Sequence, residues 1–108
     1  VSVRNPTAAV HLYRIAQEAV TNAVRHGRAR NIVLSLSRRA RQIHLMIHDD
    51  GRGFASPDAP HGRGLKSMEY RARLLGGVLK IDSNTGRGSR VSCACSDEWS
   101  RGKTRRAG

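Results

Sequence analysis

The sequence predicts an α+β fold: a two-layer sandwich in which helices cover one face of a mixed sheet. Three observations predict it. Two segments carry apolar residues at three- and four-residue spacing. Two pairs of short segments alternate apolar and polar residues, and each pair is separated only by a turn. The strict strand–helix alternation of a doubly wound sheet is absent, so helices grouped on one side of hairpin-built strands are the arrangement left.

Val1 to Val3 reads as the end of a strand. Thr7 to His26 reads as the first helix. Val10, Leu12, Ile15, Ala16, Ala19, Val20, Ala23 and Val24 fall on one broad stripe, Pro6 and Thr7 supply a start signal, and Gly27 stands where a left-handed C-cap would. Ile32, Leu34 and Leu36 alternate with Val33, Ser35 and Ser37. After a short basic turn, Ile43, Leu45 and Ile47 alternate with His44, Met46 and His48, which makes a hairpin. Periodicity then stops, and the Gly- and Pro-rich stretch Asp50 to Arg63 is a loop. Gly64 to Leu75 is helical again, with Leu65, Met68, Ala72 and Leu75 on one face, and Gly76-Gly77 ends it. Val78 to Asp82 and Ser89 to Cys95 form a second strand pair around a Gly-containing turn. Residues 1–96 thus make one domain, and 97–108 form a polar, basic tail expected to fray.

A chain of 108 residues suggests one modest core, burying roughly 60–65% of the surface its unfolded form exposes. No apolar run approaches the ~20 residues of a membrane span, and Val1 to Pro6 lacks the apolar stretch of a signal peptide. The net charge is +12, with arginines spread from Arg4 to Arg106. Such a surface attracts polyanions in general. The arginines form no stripe with interleaved aromatics, and the four scattered aromatics Tyr13, Phe54, Tyr70 and Trp99 argue against a base-stacking platform. Cys93 and Cys95 point to one face of a strand, a poor disulfide geometry. Without further Cys or His nearby they read as core thiols in a reducing compartment.

Four features carry chemistry. On the first helix Glu18, Asn22 and His26 are four apart and share a face, with Arg25 beside them. An amide oxygen is a hard ligand that suits Mg²⁺, and a guanidinium suits a phosphate oxygen. Directly after a strand comes Asp49-Asp50-Gly51-Arg52-Gly53-Phe54. A carboxylate at a strand end can accept from an exocyclic amine, and the glycines let backbone approach a ring. Gly62-Arg63-Gly64-Leu65 opens a helix, where free N–H groups and the helix dipole favour phosphate. It has neither the preceding strand of a dinucleotide-binding fingerprint nor the Gly-Lys-Ser/Thr of a Walker loop. Gly86-Arg87-Gly88-Ser89 leads into the last strand. Each feature alone has an ordinary reading as a polar helix face or a turn.

Together and in this order, the four boxes resemble the ATPase fold shared by histidine kinases, gyrase, Hsp90 and MutL, the Bergerat fold. Leu12 to His26 looks like the N box of the histidine kinase subfamily that contains the nitrate sensors, and Gly64 to Gly77 is nearly as telling. The match runs from about Leu12 to Cys95. The resemblance implies that Asn22 binds Mg²⁺ and that Glu18 polarises the attacking group. It implies that Arg25 and His26 meet the phosphates and that Asp49 accepts from the adenine amine, with Gly51 and Gly53 shaping the base pocket. Phe54 to His61 is then a short ATP lid, and Gly62, Arg63, Gly64 and Leu65 line the phosphate side. Ser89 stands where the family usually has Thr and keeps the hydroxyl.

The family's phosphoacceptor histidine lies on a separate helical segment. Here His48-Asp49 is the only His followed by an acid, and it ends a strand. The expectation is therefore a cytoplasmic catalytic domain that binds Mg-ATP and donates the γ-phosphoryl group to a histidine on a separate dimerisation domain. It would serve a response regulator with a helix-turn-helix output, without direct contact with nucleic acid or membrane, while the parent protein is free to carry a membrane anchor. The rivals are an anti-sigma-factor-type serine kinase on the same fold and a basic nucleic-acid-binding module.

Overall fold

The computed structural model describes residues 3–51, 62–84 and 88–96. Helix α1 spans Pro6–Arg25, β1 Ile32–Arg39, β2 Gln42–Asp49, α2 Gly62–Leu74, β3 Val78–Asn84 and β4 Gly88–Ser96. The two expected helices and four expected strands are present, each within two residues of its predicted start and end. The expected strand end at Val1–Val3 is described only at Val3, which is irregular and packs on the core. The tail, and with it the domain boundary after 96, lies outside the described residues.

Asn5 begins α1: its side chain accepts from the Ala8 N–H at 2.8 Å, with Pro6 at the first helical position. A cap of this kind typically contributes about 1 kcal/mol. The other end departs from expectation. Gly27 is not left-handed. His26 caps the helix in right-handed conformation, and the left-handed residue is Arg28 at φ 52°. The His26 and Gly27 N–H groups both donate to the Asn22 carbonyl, and the Ala29 N–H donates to that of Ala23. The chain thus continues two residues past the helix, and the left-handed position falls at Arg28.

The sheet order is β1-β2-β4-β3, and every pair is antiparallel. This corrects the expected mixed sheet for the described strands. Both hairpins are antiparallel by construction, and their inner strands β2 and β4 also run in opposite directions. The layering is as expected. Pleating sends Ile43, Leu45 and Ile47 of β2, with Val91, Cys93 and Cys95 of β4, toward the helices. There they meet Ala8, Leu12, Ile15 and Ala19 of α1, together with Met68, Ala72 and Leu75 at α2. Both thiols are buried, and burial together with the neighbouring Cys95 pushes the Cys93 thiol up to about 12. The opposite sheet face, with Val33, Ser35, Met46, His48, Lys80 and Arg90, is exposed.

Ile15 sits at the centre of the helix–sheet contact with no exposed surface, whereas Val33, on the open face, is 63% exposed. Ile15→Ala is expected to lower unfolding free energy by about 2–5 kcal/mol, through lost burial and a residual cavity. Val33→Ala is expected to change it by no more than about 0.5 kcal/mol. Urea denaturation of the two variants checks the assignment of faces.

Candidate nucleotide site

The site forms at the end of the sheet where β2 stops, β4 starts and α1 gives way to β1. Asp49 is the last residue of β2. In register it faces Ser89 on one side and Ile32 on the other. Its side chain is 4% exposed and Ser89 is 5% exposed. The Ser89 hydroxyl donates to Asp49 Oδ2 at 2.5 Å, and the Gly51 N–H donates to Oδ1 at 2.7 Å. Asp49 and Ser89 belong to motifs forty residues apart, and the antiparallel register brings them into contact. Both donors are neutral. A carboxylate offers about four lone-pair sites, of which these donors among the described residues use two.

Close backbone approach holds this corner together. A Cβ at Gly51 would lie 2.5 Å from the Gly27 carbonyl oxygen and 3.0 Å from Asp49 Oδ1. Gly88 adopts φ +90°, and a Cβ there would collide with the Asp49 carbonyl. Only glycine allows both the left-handed turn into β4 and the contact with β2.

Glu18 and Asn22 lie half-buried on α1. At 100° per residue they share a flank with His11, beside the stripe that faces the sheet. That flank faces α2, because His11 Nδ1 lies 3.1 Å from the Arg71 guanidinium. Partial burial and the Arg71 charge lower the pKa of His11. Arg25 ends α1 and His26 caps it, both exposed, so the expected strip of four runs from helix into cap. Gly62, Arg63 and Gly64 form the start of α2, followed by half-buried Leu65. The expected helix N-terminus is therefore present. Gly53 and the lid segment Phe54 to His61 lie outside the described residues. No group of three or more His, Cys, Asp or Glu among the described residues could hold a metal ion. The Asn22 side-chain oxygen is of the hard kind that suits Mg²⁺, which keeps most of its waters and takes few protein ligands.

The structure adds a residue that sequence reasoning passed over. Asp50 Oδ1 accepts from the Arg30 and Asn31 N–H groups, both at 2.9 Å, and Oδ2 accepts from the Asn31 side-chain amide at 2.8 Å. Its own N–H donates to the Asn31 carbonyl at 3.2 Å. These donors hold its carboxyl near 2, well below the ordinary 3.8.

The chain matches the model of the family described as histidine kinase-, DNA gyrase B- and HSP90-like ATPase over residues 7–98. It belongs to that family. Among sensor kinases, it is 37% identical over 82 residues to the sensor histidine kinase LiaS of Bacillus subtilis, covering 75% of this chain and 23% of that protein. It is 40% identical over 85 residues to the nitrate/nitrite sensor protein NarQ of Escherichia coli, covering 77% and 15%. The chain thus spans under a quarter of these relatives. The histidine kinase domain of the blue-light activated kinase from Erythrobacter litoralis superposes with a TM-score of 0.71 at 24% identity, covering 91% of this chain and 48% of that one. The ATP-binding domain of PrrB from Mycobacterium tuberculosis gives 0.65 at 25% identity, covering 81% and 67%. This ATPase domain therefore has the two-layer fold of histidine kinase ATP-binding domains. No helix among its described residues is long and apolar enough to cross a membrane.

The depressed Asp50 carboxyl sets a pH dependence. It favours the folded state above its ordinary pKa of 3.8, and that contribution is lost as pH falls from there through about 2. A carboxyl-carbon NMR titration is expected to show the Asp50 midpoint near 2, returning toward 3.8 in an Asn31→Ala variant. A midpoint near 3.8 in the unsubstituted chain would show that Asp50 does not hold this loop in solution.

Proposed function

We propose that this domain binds Mg-ATP at the end of the sheet and donates the γ-phosphoryl group to a histidine on a separate dimerisation domain. The observation that carries the reading is Asp49: a buried carboxylate at a strand end, fixed by a hydroxyl and a backbone N–H that use about half of its acceptor capacity among the described residues. The adenine exocyclic amine is a further donor in this reading. Ser89 and the Gly51 N–H fix both carboxylate oxygens before ligand arrives, so little orientation is lost on binding.

The remaining assignments follow the same family reading. Gly51 and Gly53 shape the base pocket. Asn22 is the Mg²⁺ ligand, and the ion neutralises phosphate charge. Glu18 polarises the attacking group. Arg25 and His26 meet the phosphates, and the backbone N–H groups at Gly62, Arg63, Gly64 and Leu65 complete the phosphate side. Catalysis is then mostly positioning and charge neutralisation. The partners are the histidine-bearing dimerisation domain and a response regulator with a helix-turn-helix output. The reaction takes place in the cytoplasm, and residues 1–96 are the working domain.

Asp49→Asn is expected to weaken ATP by about 1.5–3 kcal/mol through loss of a charged acceptor, and to reduce the preference for ATP over GTP. Calorimetric titration with both nucleotides checks it, and unchanged affinities would make Asp49 a structural residue only. Asn22→Ala is expected to remove the Mg²⁺ dependence of ATP binding without unfolding the chain, as read by titration with and without Mg²⁺.

The 108-residue chain is expected to bind ATP without phosphorylating itself. The acceptor must approach the γ-phosphorus in line at roughly 3–3.5 Å. His44 and His48 are carried by β2 on the face away from the helices, and His11 is engaged by Arg71. Incubation with γ-labelled ATP should leave no acid-labile label, and adding a histidine-bearing dimerisation fragment should place label on that fragment. Label on this chain alone would place the acceptor here instead.

A further inference from the structure

The loop between α1 and β1 joins two halves of the proposed site. Its first residues cap α1 through the Asn22 carbonyl, and its last residues, Arg30 and Asn31, lead into β1. Between them Arg28 is left-handed at φ 52°, a conformation its Cβ disfavours. The loop therefore needs outside support to keep this path. Asp50 supplies it with three accepted hydrogen bonds, on a residue flanked by Asp49 and Gly51. Gly51 in turn rests on the Gly27 carbonyl of the same loop and donates to Asp49 Oδ1.

We propose that Asp50 is a positioning residue of the nucleotide site: by fastening Arg30 and Asn31 to the end of β2, it holds Gly51 against Gly27 and so fixes the Asp49 carboxylate. This rests on the reading of Asp49 as the base-binding residue. Asp50 is exposed, so its hydrogen bonds compete with water and add little to global stability. Their effect is local. Removing them releases a loop whose two ends carry Asn22 on one side and the partner strand of Asp49 on the other. A residue that served stability alone would show the reverse balance.

The test uses the 108-residue chain and four variants: Asp50→Ala, Asp50→Asn, Asn31→Asp and the double Asp50→Asn/Asn31→Asp. Mg-ATP affinity is measured by calorimetry, the melting temperature by circular dichroism, and amide exchange at Gly51 by NMR. Asp50→Ala is expected to weaken Mg-ATP roughly tenfold, to speed exchange at Gly51, and to leave the melting temperature within a few degrees. Asp50→Asn keeps an oxygen for the two backbone N–H groups, and Asn31 can rotate its amide to accept from the new NH₂, so affinity is expected within about threefold of the unsubstituted chain. Asn31→Asp sets two carboxylates face to face and is expected to weaken binding, and the double variant is expected to recover it. Unchanged affinity and Gly51 exchange in Asp50→Ala would overturn the proposal, as would a double variant worse than either single. Should Asp50→Ala not fold, the Asn31→Asp and double variants decide on the same readings. Should the unsubstituted chain not bind Mg-ATP, the functional reading fails, and Gly51 exchange still decides whether Asp50 positions the pocket.

Discussion

A carboxylate at 4% exposure with two neutral donors among the described residues is an expensive thing to place at the end of a strand. Burying a polar group costs free energy unless hydrogen bonds offset it. Much of the local structure answers to that requirement. The β2–β4 register must bring Ser89 opposite Asp49, the backbone after β2 must turn a Gly51 N–H back onto it, and β4 must start on a left-handed Gly88 that clears the Asp49 carbonyl. A shift of one residue between β2 and β4 would send Ser89 to the other sheet face and leave the carboxylate short of a donor.

The apolar core and this polar corner are built by the same pleat. Asp49 lies on the face that carries Ile43, Leu45 and Ile47, two residues beyond the last of them. The alternation that buries three aliphatic side chains under α1 therefore also turns the carboxylate inward, toward the helix layer and away from the open face. Hydrophobic burial fixes the strand, and the strand aims the acid. The price is a corner with no room for side chains, which is why glycines meet there.

Helix α1 links this corner to the rest of the site. Its central stripe is spent on the sheet, and its α2-facing flank holds Glu18 and Asn22, with His11 against Arg71 nearer its start. Its C-terminal turn continues into the loop that Asp50 grips. The metal-binding and base-binding residues of the proposed mechanism thus sit on elements joined by backbone hydrogen bonds at Asn22 and Asn31. Repositioning either end of the loop moves both.

Periodicity alone determined the two helices, the two hairpins and the inward faces of β2 and β4, because a half-buried strand and a one-sided helix must repeat their apolar residues at fixed intervals. Asp49, Ser89, Glu18 and Asn22 were marked by the order of the four motifs and the family resemblance it carries. Strand order and direction were decided only in three dimensions: nothing local in the sequence says that β2 pairs with β4, or that the described sheet is antiparallel throughout. The same holds for the left-handed residue, which falls at Arg28 and not at Gly27, because the bonds to the Asn22 and Ala23 carbonyls carry the chain past Gly27 before it reverses. The grip of Asp50 on Arg30 and Asn31 was equally hidden. It spans about twenty residues between two loop segments of no periodicity, and an Asp beside a Gly reads as a turn until the tertiary structure shows whose N–H groups it holds.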